Sequence, residues 1–188
     1  MYRNDSLQAK SQHIAKLLER CKNGEPGAQF EVYKRYYKAM YNTSLRILKD
    51  SFEAEDVMQE SFLVAFTKLG TFKGEVAFGA WLKRIVINRS LTQLKKNNRI
   101  DEVKLDVIPE QVEEAVDSDY STIKAKEISQ AIGQLKDNYR LALTLNLIEG
   151  YDYEEIADIM NITYQNSRTT ISRAKNKLRQ LLVLSHEG

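Results

Sequence analysis

The stretch Asp152–Leu182, "DYEEIADIMNITYQNSRTTISRAKNKLRQLL", decides how the rest of this chain is read. Tyr153 to Met160 carries apolar residues at helical spacing. "NIT" has the length of a tight turn, and Tyr164 to Leu182 is a second periodic run entered through Thr163, whose hydroxyl suits an N-cap. A short helix, a tight turn and a longer helix make the helix-turn-helix pattern. In the longer helix Ser167, Ile171, Ala174, Leu178 and Leu181 recur at steps of four, three, four and three, which predicts one buried face. Gln165, Thr169, Ser172 and Arg173 lie largely opposite it.

Charge separates the two helices. Tyr164 to Leu182 holds five cations (Arg168, Arg173, Lys175, Lys177 and Arg179) and no acid, whereas Glu149 to Asp158 holds five acids and no cation. Two solvated faces can produce that pattern, and so can a helix turned toward phosphate. The DNA reading puts Gln165, Asn166, Arg168 and Thr169 near base edges, with Ser172 on the same face and Arg173, Lys175 and Lys177 on phosphates.

The composition upstream agrees with a helical chain. Eight glycines and two prolines in 188 residues leave little punctuation, so long helices with short connections are favoured and the fold class is all-α. No stretch approaches the roughly 20 apolar residues of a membrane span, and the polar start "MYRNDSLQAKSQH" lacks a signal-peptide core. The expected location is the cytoplasm, with no membrane insertion. One cysteine, Cys21, forms no internal disulfide, and with two histidines it gives poor material for a metal site. No metal, cofactor or catalytic residue is expected.

The net charge of +2 hides segregation. Residues 1–100 carry 18 Lys/Arg against 10 Asp/Glu, residues 101–119 carry 1 against 8, and residues 120–188 carry 9 against 8. The middle block, "DEVKLDVIPEQVEEAVDSD", has no aromatic residue and no sustained helical period, as in an extended acidic tether. It reads as a solvated spacer or as a strand able to enter a basic channel.

Before the tether, residues 8–22 suggest a first helix, broken by Gly24, Pro26 and Gly27. A second runs from about Ala28 to Lys49. Asp50 followed by Glu53 resembles a capping box opening a third, which reaches about Leu69 with Ala54, Val57, Met58, Phe62, Ala65, Phe66 and Leu69 as its buried stripe. A fourth spans roughly Phe78 to Asn97. After the tether, Ile123 to Leu135 and Tyr139 to Glu149 read as two further helices stopped by Gly150.

The third helix also has an outward row: Asp56, Gln59, Glu60 and Leu63. Carboxylates beside an amide and an exposed leucine suit protein docking better than DNA, although plain solvation fits the pattern as well. The stretch from Phe72 to Ser90, "FKGEVAFGAWLKRIVINRS", sets rings among cations. Trp81, Leu82, Ile85 and Val86 have core spacing, so the loop Phe72–Phe78, with Lys73 and Gly74, is the better candidate to clasp an unpaired base.

"AEDVMQESF", the Phe72-Lys-Gly turn, "WLKRIVIN", the acidic tether and the terminal helix-turn-helix together resemble an extracytoplasmic-function (ECF) sigma factor of bacterial RNA polymerase. The resemblance implies an N-terminal extension (1–27), region 2 (28–99), an acidic linker (100–122) and region 4 (123–184). It implies a transcription initiation factor whose Asp56, Gln59, Glu60 and Leu63 dock on the clamp helices of the polymerase's largest subunit. It implies that Asn88 helps hold a flipped base of the promoter -10 element, beside Phe72, Lys73, Phe78 and Lys83, and that Arg84, Arg89, Lys95, Lys96 and Arg99 track phosphates. By the same resemblance region 4 would read the -35 element and meet the polymerase flap, and the linker would thread the RNA-exit path. The implied partners are core RNA polymerase, promoter DNA and, for some members of such a family, an anti-sigma factor. Asn166 and Ser167 depart from a common Thr-Val pair, so the promoter sequence is not inherited from the resemblance. A buried Ser167 is expected to bond back to a carbonyl one turn earlier. The runner-up is a stand-alone DNA-binding regulator that uses only the helix-turn-helix.

Overall fold

The structure, a computed structural model, describes residues 2–97 and 125–186, and side chains over 12–97 and 125–183. The expected acidic linker and Arg99 lie outside the described residues. Contacts divide the chain into two compact units, Met1–Ser90 and Leu91–Gly188. Among the described residues every regular element is helical.

The first unit holds α1 (Tyr2–Lys22), α2 (Pro26–Leu48), α3 (Ser51–Thr67), a 3-10 turn (Leu69–Thr71) and α4 (Phe78–Lys96) as far as Ser90, the last turns of α4 being counted with the second. α1 begins earlier than its apolar period suggests. It stops at Gly24, whose φ of +77° favours glycine. α2 starts at Pro26, two residues before the expected Ala28, because proline at the first helical position gives up an N–H that has no partner there in any case. Lys49, at φ 60°, closes α2 by donating its N–H to Leu45 O. Asp50 Oδ1 then accepts from the Glu53 N–H at 2.9 Å, so the predicted cap opens α3.

The expected α3 stripe is buried at Ala54, Val57, Met58, Phe62, Ala65 and Leu69, with Phe66 half-buried at its edge. Its Met58, Phe62, Ala65 and Leu69 join Leu17 and Cys21 of α1, Val32 and Met40 of α2, and Leu82 and Val86 of α4 in one core. Fully burying a side chain of leucine or phenylalanine size contributes about 1.5–3 kcal/mol, so this shared core dominates the unit's stability. A buried polar contact ties α2 to α4. Ser90 donates to Val86 O at 2.9 Å, leaving the Ser44 hydroxyl to donate to Ser90 Oγ across 3.1 Å.

The second unit holds α5 (Ala125–Gln134), α6 (Asp137–Leu143) running into a π-helical turn (Thr144–Ile148), α7 (Tyr153–Met160) and α8 (Tyr164–His186). Arg140, 4% exposed, pairs with Asp137 at 2.7 Å and donates to Leu135 O, which satisfies a buried cation at the start of α6. Asp152 and Glu155 form a reciprocal capping box on α7 that the sequence reading did not anticipate. Asn161, at φ 56°, ends α7, and Thr163 Oγ1 accepts from the Asn166 N–H at 3.2 Å, as the N-cap reading requires.

The buried face of α8 is Ser167, Thr170, Ile171, Ala174, Leu178 and Leu182. Leu182, rather than Leu181, closes it: on the 3.6 period the two flank this face on opposite sides, and Leu182 is the one buried. Ser167 does not make the expected back-bond. Its Oγ is buried with no hydrogen-bond partner among the described residues, and only its backbone N–H reaches Thr163 O. Thr169 Oγ1 makes that kind of bond instead, to Gln165 O at 2.9 Å.

Candidate protein-docking and nucleic-acid surfaces

α3 is two-faced. With Ala54, Val57, Met58 and Phe62 inward, Asp56, Gln59, Glu60 and Leu63 are all exposed, and Leu63 is 68% exposed. Gln59 donates to Glu55 one turn earlier. Glu60 is held differently: Arg89 of α4 donates to its carboxylate. A member of the docking row is thus ion-paired to a residue expected on phosphate, a pairing that residues 29 apart in sequence gave no sign of.

The loop before α4 belongs to an aromatic cluster. Phe72 lies 5.6 Å from Phe78 and 5.3 Å from Trp81, centroid to centroid, and Tyr36 meets Phe78 at 5.4 Å. Phe78 is 4% exposed, a core ring and the first residue of α4. The expectation that Phe78 clasps a base is therefore corrected: a ring packed on several sides has no free face to stack on. Phe72 is half-buried, while Lys73 is exposed. Gly74, at φ +77°, turns the loop with a backbone angle that a side chain would strain. Gly79 lets α4 approach Tyr36, since a Cβ there would lie 3.0 Å from the ring. Burial pushes the Tyr36 phenol pKa up, against the opposing pull of Arg35.

Along α4, Arg84, Asn88 and Lys95 fall at steps of four and seven and share a face, with Asn88, Lys95 and Lys96 exposed. Lys83 and Arg89 flank that face, half-buried. Trp81 is half-buried against the core, in keeping with its core spacing.

On α8, Gln165 and Arg168 are exposed, and Thr169, Ser172, Arg173 and Lys175 are half-exposed beside them, opposite the buried face. Asn166 and Lys177 sit toward one side of this row. Arg168 lies over the Tyr164 ring, 5.9 Å from its centroid, and Tyr164 meets Tyr153 of α7 edge-on at 6.4 Å. The apolar period made no use of Tyr164, and its pairing with a residue one turn on is the signal that was available. Lys177 reaches Gln180, and Arg179 reaches Asn176. Among the described residues no group of three His, Cys, Asp or Glu is placed to hold a metal ion, and no helix is long and apolar enough to cross a membrane.

A helical unit with an acidic row, together with a second unit ending in a cation-faced helix-turn-helix, makes an all-helical arrangement among the described residues, and the helix-turn-helix is a form that DNA-binding proteins use. Residues 32–100 match the Sigma-70 region 2 family, and residues 125–178 match Sigma-70, region 4. The RNA polymerase sigma-H factor of Pseudomonas aeruginosa is 33% identical over 178 residues, which cover 88% of this chain and 92% of that protein. The ECF RNA polymerase sigma factor SigM of Bacillus subtilis is 30% identical over 152 residues, covering 80% and 93%. Among solved structures, the sigma factor RpoE from Bartonella quintana, in complex with the anti-sigma factor NepR, is similar at a TM-score of 0.55 and 25% identity, covering 81% of this chain and 94% of that one. The chain belongs to the ECF branch of the sigma-70 family. Its function is transcription initiation, through promoter recognition by RNA polymerase.

Proposed function

We propose that the two units divide promoter recognition between them. Region 2, over 28–99 with the 1–27 extension at its N-terminus, docks core RNA polymerase on the clamp helices of the largest subunit through Asp56, Gln59, Glu60 and Leu63. It also engages the -10 element. Asn88 holds a flipped base, Phe72, Lys73 and Lys83 line its approach, and Arg84, Arg89, Lys95, Lys96 and Arg99 follow the backbone. Region 4, over 123–184, reads the -35 duplex with Gln165, Asn166, Arg168 and Thr169 near base edges. Ser172, Arg173, Lys175 and Lys177 lie toward phosphates, and the same unit meets the polymerase flap. The acidic linker, 100–122, spans the RNA-exit path. The protein works in the cytoplasm and has no catalytic residues of its own, its chemistry being that of the polymerase it directs. An anti-sigma factor belongs among its partners.

The observation that carries this reading is the opposite polarity of two exposed helix faces. α3 presents carboxylates, an amide and Leu63, which suit a basic protein surface, and α8 presents cations and amides, which suit DNA. Each face is backed by a fully buried stripe, so the exposed chemistry is held in a fixed orientation. The experiment is reconstitution. Purified full-length protein added to bacterial core RNA polymerase is expected to form a stable complex and to start RNA at discrete promoter positions. DNA binding without any complex with core polymerase would favour the stand-alone regulator.

A further inference from the structure

Phe52 is 81% exposed, the largest exposure among the large hydrophobic side chains described. It stands at the second position of α3, immediately after the Asp50 cap fixes the helix start. On a helix with 3.6 residues per turn, Phe52, Asp56, Gln59 and Leu63 follow one another at steps of four, three and four and share a single face, with Glu60 at its edge. The acidic row is therefore bracketed by two exposed apolar side chains, Phe52 and Leu63, about 16 Å apart along the axis at 1.5 Å per residue. Leaving an aromatic ring in water forgoes the gain of burying it, and aromatic side chains that fill a partner's pocket are frequent hot spots.

We infer that Phe52 is a further polymerase-docking residue, an anchor at the N-terminal end of the α3 row that Leu63 matches at the other end. The occupant is the same basic surface of the polymerase's largest subunit, so the inference rests on the docking reading given above. Charge complementarity chooses it: Glu55, Asp56 and Glu60, all exposed, lie between or beside the two anchors and repel phosphate. The partner surface has cationic side chains between two apolar pockets spaced to receive Phe52 and Leu63. The short stretch "DSFEAED" hides this because a phenylalanine one residue into a helix looks like a core residue until its face is known.

The test is competition for core RNA polymerase between labelled wild-type protein and unlabelled full-length variants. Phe52→Ala is expected to bind about tenfold more weakly. Phe30→Ala, which removes a ring 62% exposed on α2 and off the α3 row, is expected to compete like wild type. Both side chains are exposed, and thermal unfolding followed by circular dichroism is expected to match wild type. The Asp56→Arg/Glu60→Arg variant reports on the row itself. If it binds weakly while Phe52→Ala competes like wild type, the docking reading stands and the Phe52 anchor is overturned. If neither variant is weakened, the row is not the docking face and the anchor falls with it. Sedimentation is expected to show the free protein as a monomer. Self-association abolished by Phe52→Ala would assign the ring to a second copy of this chain and overturn the proposal.

Discussion

The two units handle their charges differently. In the first, Asp50 caps its own helix, but charge is also exchanged between helices: Glu60 on the acidic row of α3 is ion-paired to Arg89 of α4, the helix that carries the expected -10 residues. In the second, Asp137, Asp152 and Glu155 serve their own helices. Asp152 and Glu155 close a capping box on α7, while Arg168 of α8 rests on the ring of Tyr164 and Lys177 reaches an amide. A carboxylate used as an N-cap offsets the helix dipole where it stands and leaves the neighbouring cationic face its field. A carboxylate paired across helices shares its field with a cation on the neighbouring face. In the proposed division of work, a first unit meets a protein and DNA on adjacent faces, and a second meets DNA with one.

The largest break in this comparison comes from reversing the α3 row. Asp56→Arg with Glu60→Arg is expected to weaken binding to core polymerase by on the order of 100-fold, since charges opposed across an interface cost several kcal/mol. Both side chains are exposed, and the Glu60–Arg89 pair that the variant removes is solvent-accessible and worth at most about 1 kcal/mol, so the unfolding transition is expected to shift by only a few degrees. Unchanged recovery of polymerase in a pull-down would remove this face from the docking account. Next in size is Arg168→Ala. Loss of a base-edge contact costs about 1–3 kcal/mol, so affinity for -35 duplex is expected to fall by about tenfold or more, with little effect on a template already melted around -10. Equal losses on both templates would mean that the units do not divide the work.

The helices and their buried faces were legible because burial follows spacing. The stripe from Ala54 to Leu69 and the turn at Asn161–Thr163 follow from period and cap residues alone, and so does the outward row on α3. Side chains whose environment is set by another element were not legible. Phe78 shares the composition of a base-stacking loop, yet it opens α4 and packs against Trp81 one turn on, Phe72 of the preceding loop and Tyr36 of α2, and the last two contacts are set by other elements. The Glu60–Arg89 pair depends on how α3 and α4 lie together, which neither helix's period encodes. Ser167 was expected to satisfy its hydroxyl locally. Leu181 and Leu182 flank the same face, and which of them is buried depends on what packs there, which a count at steps of three and four does not encode.

The division of work is tested most directly by permanganate footprinting of thymines around -10, with DNase protection of -35, on a duplex promoter with saturating polymerase holoenzyme carrying Asn88→Ala. Asn88 is exposed on α4 beside Arg84 and Lys95, and capturing a flipped base offsets an unpairing cost of a few kcal/mol. Loss of one hydrogen bond to that base is expected to slow the appearance of reactive thymines by roughly two- to tenfold. Protection at -35 is expected to stay intact, and a pre-melted template to restore initiation. Wild-type reactivity at -10, or loss of -35 protection together with opening, would contradict the account.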